Sequence, residues 1–108
     1  VKIRGFRVEL AGVERCMIQF PGMREVCCVA HRDSGGTNLL FGYYIADREI
    51  DHEKLRVYLK DYLPYYMIPS ALIRCGEFPR TLSGKVNRRA FVPPAELDDH
   101  KRIEQLYR

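Results

Sequence analysis

Two apolar runs separated by a four-residue turn cluster constrain this chain most. Residues 25–32 (Glu-Val-Cys-Cys-Val-Ala-His-Arg) and 38–46 (Asn-Leu-Leu-Phe-Gly-Tyr-Tyr-Ile-Ala) are rich in β-forming side chains, and Asp33-Ser34-Gly35-Gly36 lies between them. A strand with one wet face alternates apolar and polar residues. These runs do not, so at least one of the strands is expected to be covered on both faces. Together they read as an antiparallel hairpin at the centre of a sheet. Adjacent Cys27 and Cys28 then point to opposite faces. The turn cluster looks like a phosphate loop only superficially, because it joins two strands and opens no helix.

The rest of the chain supplies elements to cover that sheet. Leu10, Val13, Met17 and Phe20 fall on one helical face, which Pro21-Gly22 stops. Met17 is expected in the core, and Glu14 and Arg15, off the stripe, in solvent. Asp51 is placed to cap a second helix whose stripe is Leu55, Tyr58, Leu59, Tyr62 and Leu63, ended by Pro64. Residues 1–10 alternate through Gly5 and read as two short strands hinged there, at a residue free to take positive φ. Residues 63–69 form a proline-bracketed connector with side chains of buried type, and 71–78 a third strand. The expected fold class is α+β: a small mixed domain with a short N-terminal β-hairpin and a central, mainly antiparallel three-stranded sheet flanked by helices. Pro93-Pro94 reads as a boundary. Beyond it Ile103, Leu106 and Tyr107 share one helical face, with Asp98 or Asp99 as cap, which reads either as a terminal helix or as the first residues of another domain.

Composition excludes several classes of function. With 108 residues, 46% of them apolar, the chain can bury one modest core and is not disordered. No apolar run approaches the ~20 residues of a membrane helix. The chain opens on Val1-Lys2-Ile3-Arg4 without an initiator Met or a signal peptide, and reads as a piece of something longer. The four cysteines form no Cys-x-x-Cys pair, and His31, His52 and His100 do not fall at ligand spacing around them. Reduced thiols, no metal site and a cytoplasmic location are expected. The net charge of +4, Arg88-Arg89 and the pairs Tyr43-Tyr44 and Tyr65-Tyr66 raise a basic nucleic-acid-binding module as an alternative. Interleaved acidic residues and the apolar setting of the tyrosines weigh against it. There is no Ser/His/Asp arrangement and no Walker A motif. Residues 79–89 are basic and Gly-containing. By composition they are either a loop that presents Lys85 to solvent or a partner, or a solvated charge run before a short helix over 88–91.

Three segments, taken in order, carry a resemblance. Val1-Lys2-Ile3-Arg4-Gly5-Phe6-Arg7-Val8-Glu9-Leu10 with Gly12-Val13-Glu14, then Leu63-Pro64-Tyr65-Tyr66-Met67-Ile68-Pro69, then Thr81-Leu82-Ser83-Gly84-Lys85-Val86-Asn87-Arg88 resemble consecutive motifs of adenylate-forming (AMP-binding) enzymes. The match is closest to the adenylation domains of nonribosomal peptide synthetases. The resemblance implies that residues 1–92 are the small, mobile C-terminal subdomain, and that 93–108 are a linker and terminal helix leading toward a carrier domain. It implies Mg2+-bound ATP and an amino acid as substrates, with most of the nucleotide site on an N-terminal subdomain. It also implies a peptidyl carrier protein as partner, whose phosphopantetheine thiol takes the aminoacyl group. Lys85 matches the lysine that bridges carboxylate and nucleotide during adenylate formation, with Ser83 and Gly84 in its loop. Gly5 matches the glycine of the pantetheine-channel loop, flanked by Arg4 and Arg7. No metal ligand is carried over. A carboxylate–CoA ligase of the acyl-CoA synthetase type is the runner-up within the family. The pattern is departed from at three places: Asn87 stands where an acidic residue is usual, so Arg88 is expected to pair differently; Ala11-Gly12 replaces a Gly-Glu pair; and Ser83 stands where Asn is frequent.

Overall fold

The computed structural model describes residues 1–93; the expected terminal helix with Ile103, Leu106 and Tyr107 lies outside the described residues. Strands β1 (Lys2–Ile3) and β2 (Phe6–Arg7) pair antiparallel, with Ile3 opposite Phe6. The two residues between them both have positive φ, 51° at Arg4 and 85° at Gly5. That is the backbone signature of a type I′ turn, whose twist matches the strands it joins. Glycine meets this demand without steric cost; Arg4 does not.

Helix α1 (Leu10–Met17) buries Val13 and Met17. It stops short of Phe20, because residues 18–20 continue only as turns, with Phe20 N–H donating to the Met17 carbonyl at 3.1 Å. Phe20 is half-buried edge-on to Tyr58, with ring centroids 5.3 Å apart. Strands β3 (Met23–Arg32) and β4 (Asn38–Ala46) form the expected antiparallel hairpin, with Cys28 opposite Gly42. Helix α2 (His52–Lys60) then carries the chain across to β5 (Ala71–Arg74), which pairs parallel to β4. The sheet order is β3-β4-β5.

The central strand β4 is covered on both faces, as its unbroken apolar run requires. Leu40 and Tyr44 on one face pack with Cys28 and Leu72 beneath Val13 and Met17 of α1 and Leu55 and Leu59 of α2. Phe41 and Tyr43 on the other pack with Cys27, Val29 and Ala71 beneath Phe78 and Phe91. Both α-helices therefore lie on one face, and the chain that follows β5 covers the other. Gly42 permits the close approach of α1: a Cβ there would sit 3.1 Å from Met17 Cε. The Asp51 carboxylate caps α2, accepting from the N–H groups of Glu53 and Lys54 at 3.0 and 3.2 Å.

Several sequence expectations shift. Helix α2 ends at Lys60, ahead of Pro64, and Tyr62 is exposed rather than part of the stripe. Strand β5 ends at Arg74, after which Cys75 makes one more bond, N–H to the Tyr44 carbonyl at 2.7 Å. Tyr65 in the connector is 74% exposed, so it is not of buried type. The short helix after the lysine loop is a single 3-10 turn, Arg88–Ala90. All four cysteines are free thiols. Burial raises the pKa of each, which makes them poor nucleophiles near neutral pH. Among the described residues no helix is long and apolar enough to cross a membrane.

Candidate functional site

Lys85 sits at the tip of a second hairpin. Its stem is closed by Asn87 N–H donating to the Pro79 carbonyl at 2.8 Å and by a bridge between Arg80 and Val86. Nearer the tip, Thr81 N–H donates to the Lys85 carbonyl at 2.8 Å, and Gly84 N–H to the Thr81 carbonyl at 2.9 Å. Gly84 has φ 90°. A three-residue loop that ends in a left-handed glycine is the G1-bulge hairpin, and it explains why glycine precedes the lysine. The Thr81 and Ser83 hydroxyls bond each other at 2.9 Å across the turn, and Thr81 Oγ1 also accepts from Lys85 N–H at 3.3 Å. Residues 81–85 are exposed, Leu82 fully so. Among the described residues the Lys85 ammonium makes no hydrogen bond or ion pair.

The stem, by contrast, is fastened. Arg80 pairs with Glu25 of β3, its Nη2 donating to both carboxylate oxygens at 2.7 and 3.0 Å. Arg88 Nη1 donates to Glu14 Oε2 of α1 at 2.8 Å and also to the Cys28 carbonyl. The same Glu14 oxygen accepts from Cys28 N–H at 2.7 Å. The hydrogen bond to Glu14 raises the pKa of Arg88 above its ordinary value, so its charge is secure. Sequence reasoning put Glu14 in solvent. Its carboxylate is instead half-buried, and helical periodicity carried no sign of a partner 74 residues away.

The N-terminal hairpin presents a different surface. Gly5 has no heavy atom within 4 Å of where a Cβ would stand, so its glycine answers to φ alone in this chain. Arg4 Nη2 donates to Ser70 Oγ at 3.3 Å. Arg7 is exposed and makes no side-chain bond among the described residues. Behind the tip the Phe6 ring stacks on Tyr66 at 4.3 Å and meets Tyr65 edge-on at 5.7 Å. The connector is therefore the support of the hairpin. Arg56 of α2 holds that connector in turn, donating to the carbonyls of Pro69 and Ser70 at 2.8 and 3.2 Å. The structure brings Arg4, Gly5 and Arg7 together in one turn, and Ser83, Gly84 and Lys85 in another. No bond among the described residues links the two tips.

Elsewhere the candidates fall away. In the turn after β3 the Asp33 carboxylate accepts from the N–H groups of Gly35 and Thr37, both at 2.9 Å, so those donors are not free for an anion. Among the described residues no group of three or more His, Cys, Asp and Glu side chains could hold a metal ion. Tyr43 and Tyr44 are buried and cannot stack on nucleobases.

Residues 12–85, which run from α1 to the lysine itself, match the family model described as the AMP-binding enzyme C-terminal domain. The chain belongs to this family. Curated relatives are nonribosomal peptide synthetases and related synthetases. The AMB antimetabolite synthetase AmbB of Pseudomonas aeruginosa is 40% identical over 87% of this chain, and tyrocidine synthase 3 of Brevibacillus parabrevis 40% identical over 88%. The chain spans only 8% and 2% of their lengths. A crystal structure of a four-domain nonribosomal peptide synthetase bound to AMP and glycine superposes with a TM-score of 0.80 at 38% identity, covering 87% of this chain and 7% of that one. A fatty acyl CoA synthetase of Mycobacterium tuberculosis shares the fold, with a TM-score of 0.74 at 22% identity over 99% of this chain and 19% of its own. The AMP-binding C-terminal fold is thus common to both branches, while sequence identity sides with the peptide synthetases.

Proposed function

We propose that this AMP-binding C-terminal domain is the mobile lid of an amino-acid-activating enzyme, with residues 1–92 forming the lid and 93–108 leading toward a carrier domain. The observation that carries the reading is Lys85: an exposed ammonium without a partner among the described residues, at the tip of a hairpin whose stem is bound to the body by two ion pairs. In the first half-reaction the carboxylate of an amino acid attacks the α-phosphate of ATP and pyrophosphate leaves. Negative charge builds on the phosphoryl oxygens, and Lys85, swung in with the lid, bridges them to the attacking carboxylate. A compact ammonium on a flexible stem suits a mobile contact of this kind. Ser83 and Gly84 shape the turn that aims it. Mg2+ would accompany ATP on the large N-terminal subdomain; the described residues offer it no ligand cluster, and no step of this chain runs through it.

In the second half-reaction the lid rotates and the Arg4-Gly5 turn replaces Lys85 at the site. The phosphopantetheine thiol of a peptidyl carrier protein attacks the adenylate carbonyl and AMP leaves. A turn with open space over Gly5 is suited to line a channel for that arm, and Arg4 and Arg7 beside it to meet anionic groups. With its four cysteines free, the domain fits the reducing cytoplasm. The decisive experiment is ATP–pyrophosphate exchange by the complete enzyme. Lys85→Ala is expected to lower exchange about 100-fold, the scale of one lost transition-state contact, and Lys85→Arg to restore little of it. Unchanged exchange in Lys85→Ala would reduce the loop to a solvated charge run. The chain alone is expected to give only background exchange with every amino acid.

A further inference from the structure

The lysine hairpin meets the body of the domain at two ion pairs, and the one at Arg88 joins three elements. Strand β3 is the edge of the sheet, and at Cys28 both its N–H and its carbonyl face away from β4. The Glu14 carboxylate takes the N–H at 2.7 Å, and the Arg88 guanidinium donates to the carbonyl. Glu14 and Arg88 then close on each other at 2.8 Å. Helix α1, edge strand β3 and the hairpin are thereby joined in a closed ring of hydrogen bonds, three residues beyond Lys85. The opposite stem strand is tied to the same β3 by Arg80 and Glu25.

We infer that Glu14 is a positioning residue for adenylate formation, fixing through Arg88 the direction in which the hairpin presents Lys85. This rests on the reading of Lys85 given above. Glu14 touches no reacting atom. Its effect arises because, among the described residues, the tip has no bond of its own to the rest of the domain, so the angle of the stem determines where the ammonium arrives. Charge-assisted bonds from a planar guanidinium, here Nη1 at 2.8 Å and Nη2 at 3.5 Å from the two Glu14 oxygens, define such an angle better than a single neutral contact.

The test is a double-mutant cycle in the complete enzyme, read in both half-reactions. Glu14→Gln keeps an acceptor for Cys28 N–H and loses only the ion pair. It is expected to lower kcat for pyrophosphate exchange about tenfold, with KM values for ATP and amino acid within about twofold. Single-turnover transfer from pre-formed adenylate is expected to change less than about twofold. In a Lys85→Ala background Glu14→Gln is expected to add nothing, because no lysine is left to aim. Arg88→Lys, which keeps the charge but not the planar guanidinium, is expected to fall between wild type and Glu14→Gln. An equal loss in both half-reactions, or the same tenfold loss with Lys85 already absent, would overturn the proposal and leave Glu14 a structural residue. Full exchange in Glu14→Gln beside a collapsed Lys85→Ala would overturn it while sparing the reading of the lysine. Full exchange in Lys85→Ala would overturn that reading itself.

Discussion

The two hairpins of this domain set the same backbone device on opposite kinds of support. Each turns at a glycine of positive φ, Gly5 at 85° and Gly84 at 90°. The first is supported by apolar surface, with Phe6 stacked on Tyr66 and Arg4 bonded to Ser70, and leaves open space over Gly5. The second is fastened by Arg80–Glu25 and Arg88–Glu14 and offers a cation at its tip. Ring stacking tolerates sliding, whereas charge-assisted hydrogen bonds fix an angle. A turn that need only leave space can rest on rings. A turn that must deliver one charge to one place needs a directional stem.

After the loss of about 100-fold expected for Lys85→Ala, the next largest effect is expected from Gly5→Leu. A branched side chain at φ 85° strains the turn and projects into the space now open over it. Transfer to the carrier thiol should slow at least about tenfold, on the view that remote misplacement near a reacting centre costs up to ~100-fold, while pyrophosphate exchange stays near wild type. Equal losses in both would remove Gly5 from the pantetheine channel.

Next in size are the stems. Arg88→Ala in the isolated chain leaves the half-buried Glu14 carboxylate without its partner and should lower unfolding stability by about 1–2 kcal/mol. Arg80→Ala breaks a pair exposed on both sides and should cost less than about 1 kcal/mol. Chemical denaturation of both variants checks the order; a reversal would mean that Arg80 is the main anchor.

How much of this was legible beforehand differs by the range of the interaction. The double-sided burial of β4 was visible in its apolar run, and α2 in its stripe and Asp51 cap, because these are patterns of near neighbours. The Gly5 turn was visible as a break in alternation. Lys85 stood out through the resemblance; composition alone left it undecided. What was not legible depends on distant parts of the chain. Glu14 looked solvated because its partners are Cys28 and Arg88, and Tyr65 looked buried because the connector around it is apolar in composition. The end of α2 at Lys60 escaped because Pro64 sets a limit on a helix without deciding where it stops. That both helices share one face follows from Phe78 and Phe91 taking the other, a choice that only the assembled sheet makes.

The smallest expected effect is a pH dependence away from both hairpins. His31 Nε2 and the Tyr43 hydroxyl are 2.9 Å apart, and burial lowers the His31 pKa below 6.5. The unfolded chain therefore binds a proton more readily than the folded one. The contribution of His31 is complete above about pH 6.5 and is lost as pH falls through its lowered pKa. Thermal midpoints of the chain at pH 8 and pH 5 should differ by less in His31→Gln than in wild type. An identical difference would show that His31 does not carry the effect.

In the proposed function the two turns divide the labour, which is read most plainly from single-turnover rates of both half-reactions for Lys85→Ala and Gly5→Leu, side by side in the complete enzyme. A crossed result is expected. Lys85→Ala loses adenylate formation about 100-fold and largely keeps transfer from pre-formed adenylate, and Gly5→Leu does the reverse. Two variants that slow the same half-reaction, or both half-reactions alike, would contradict it.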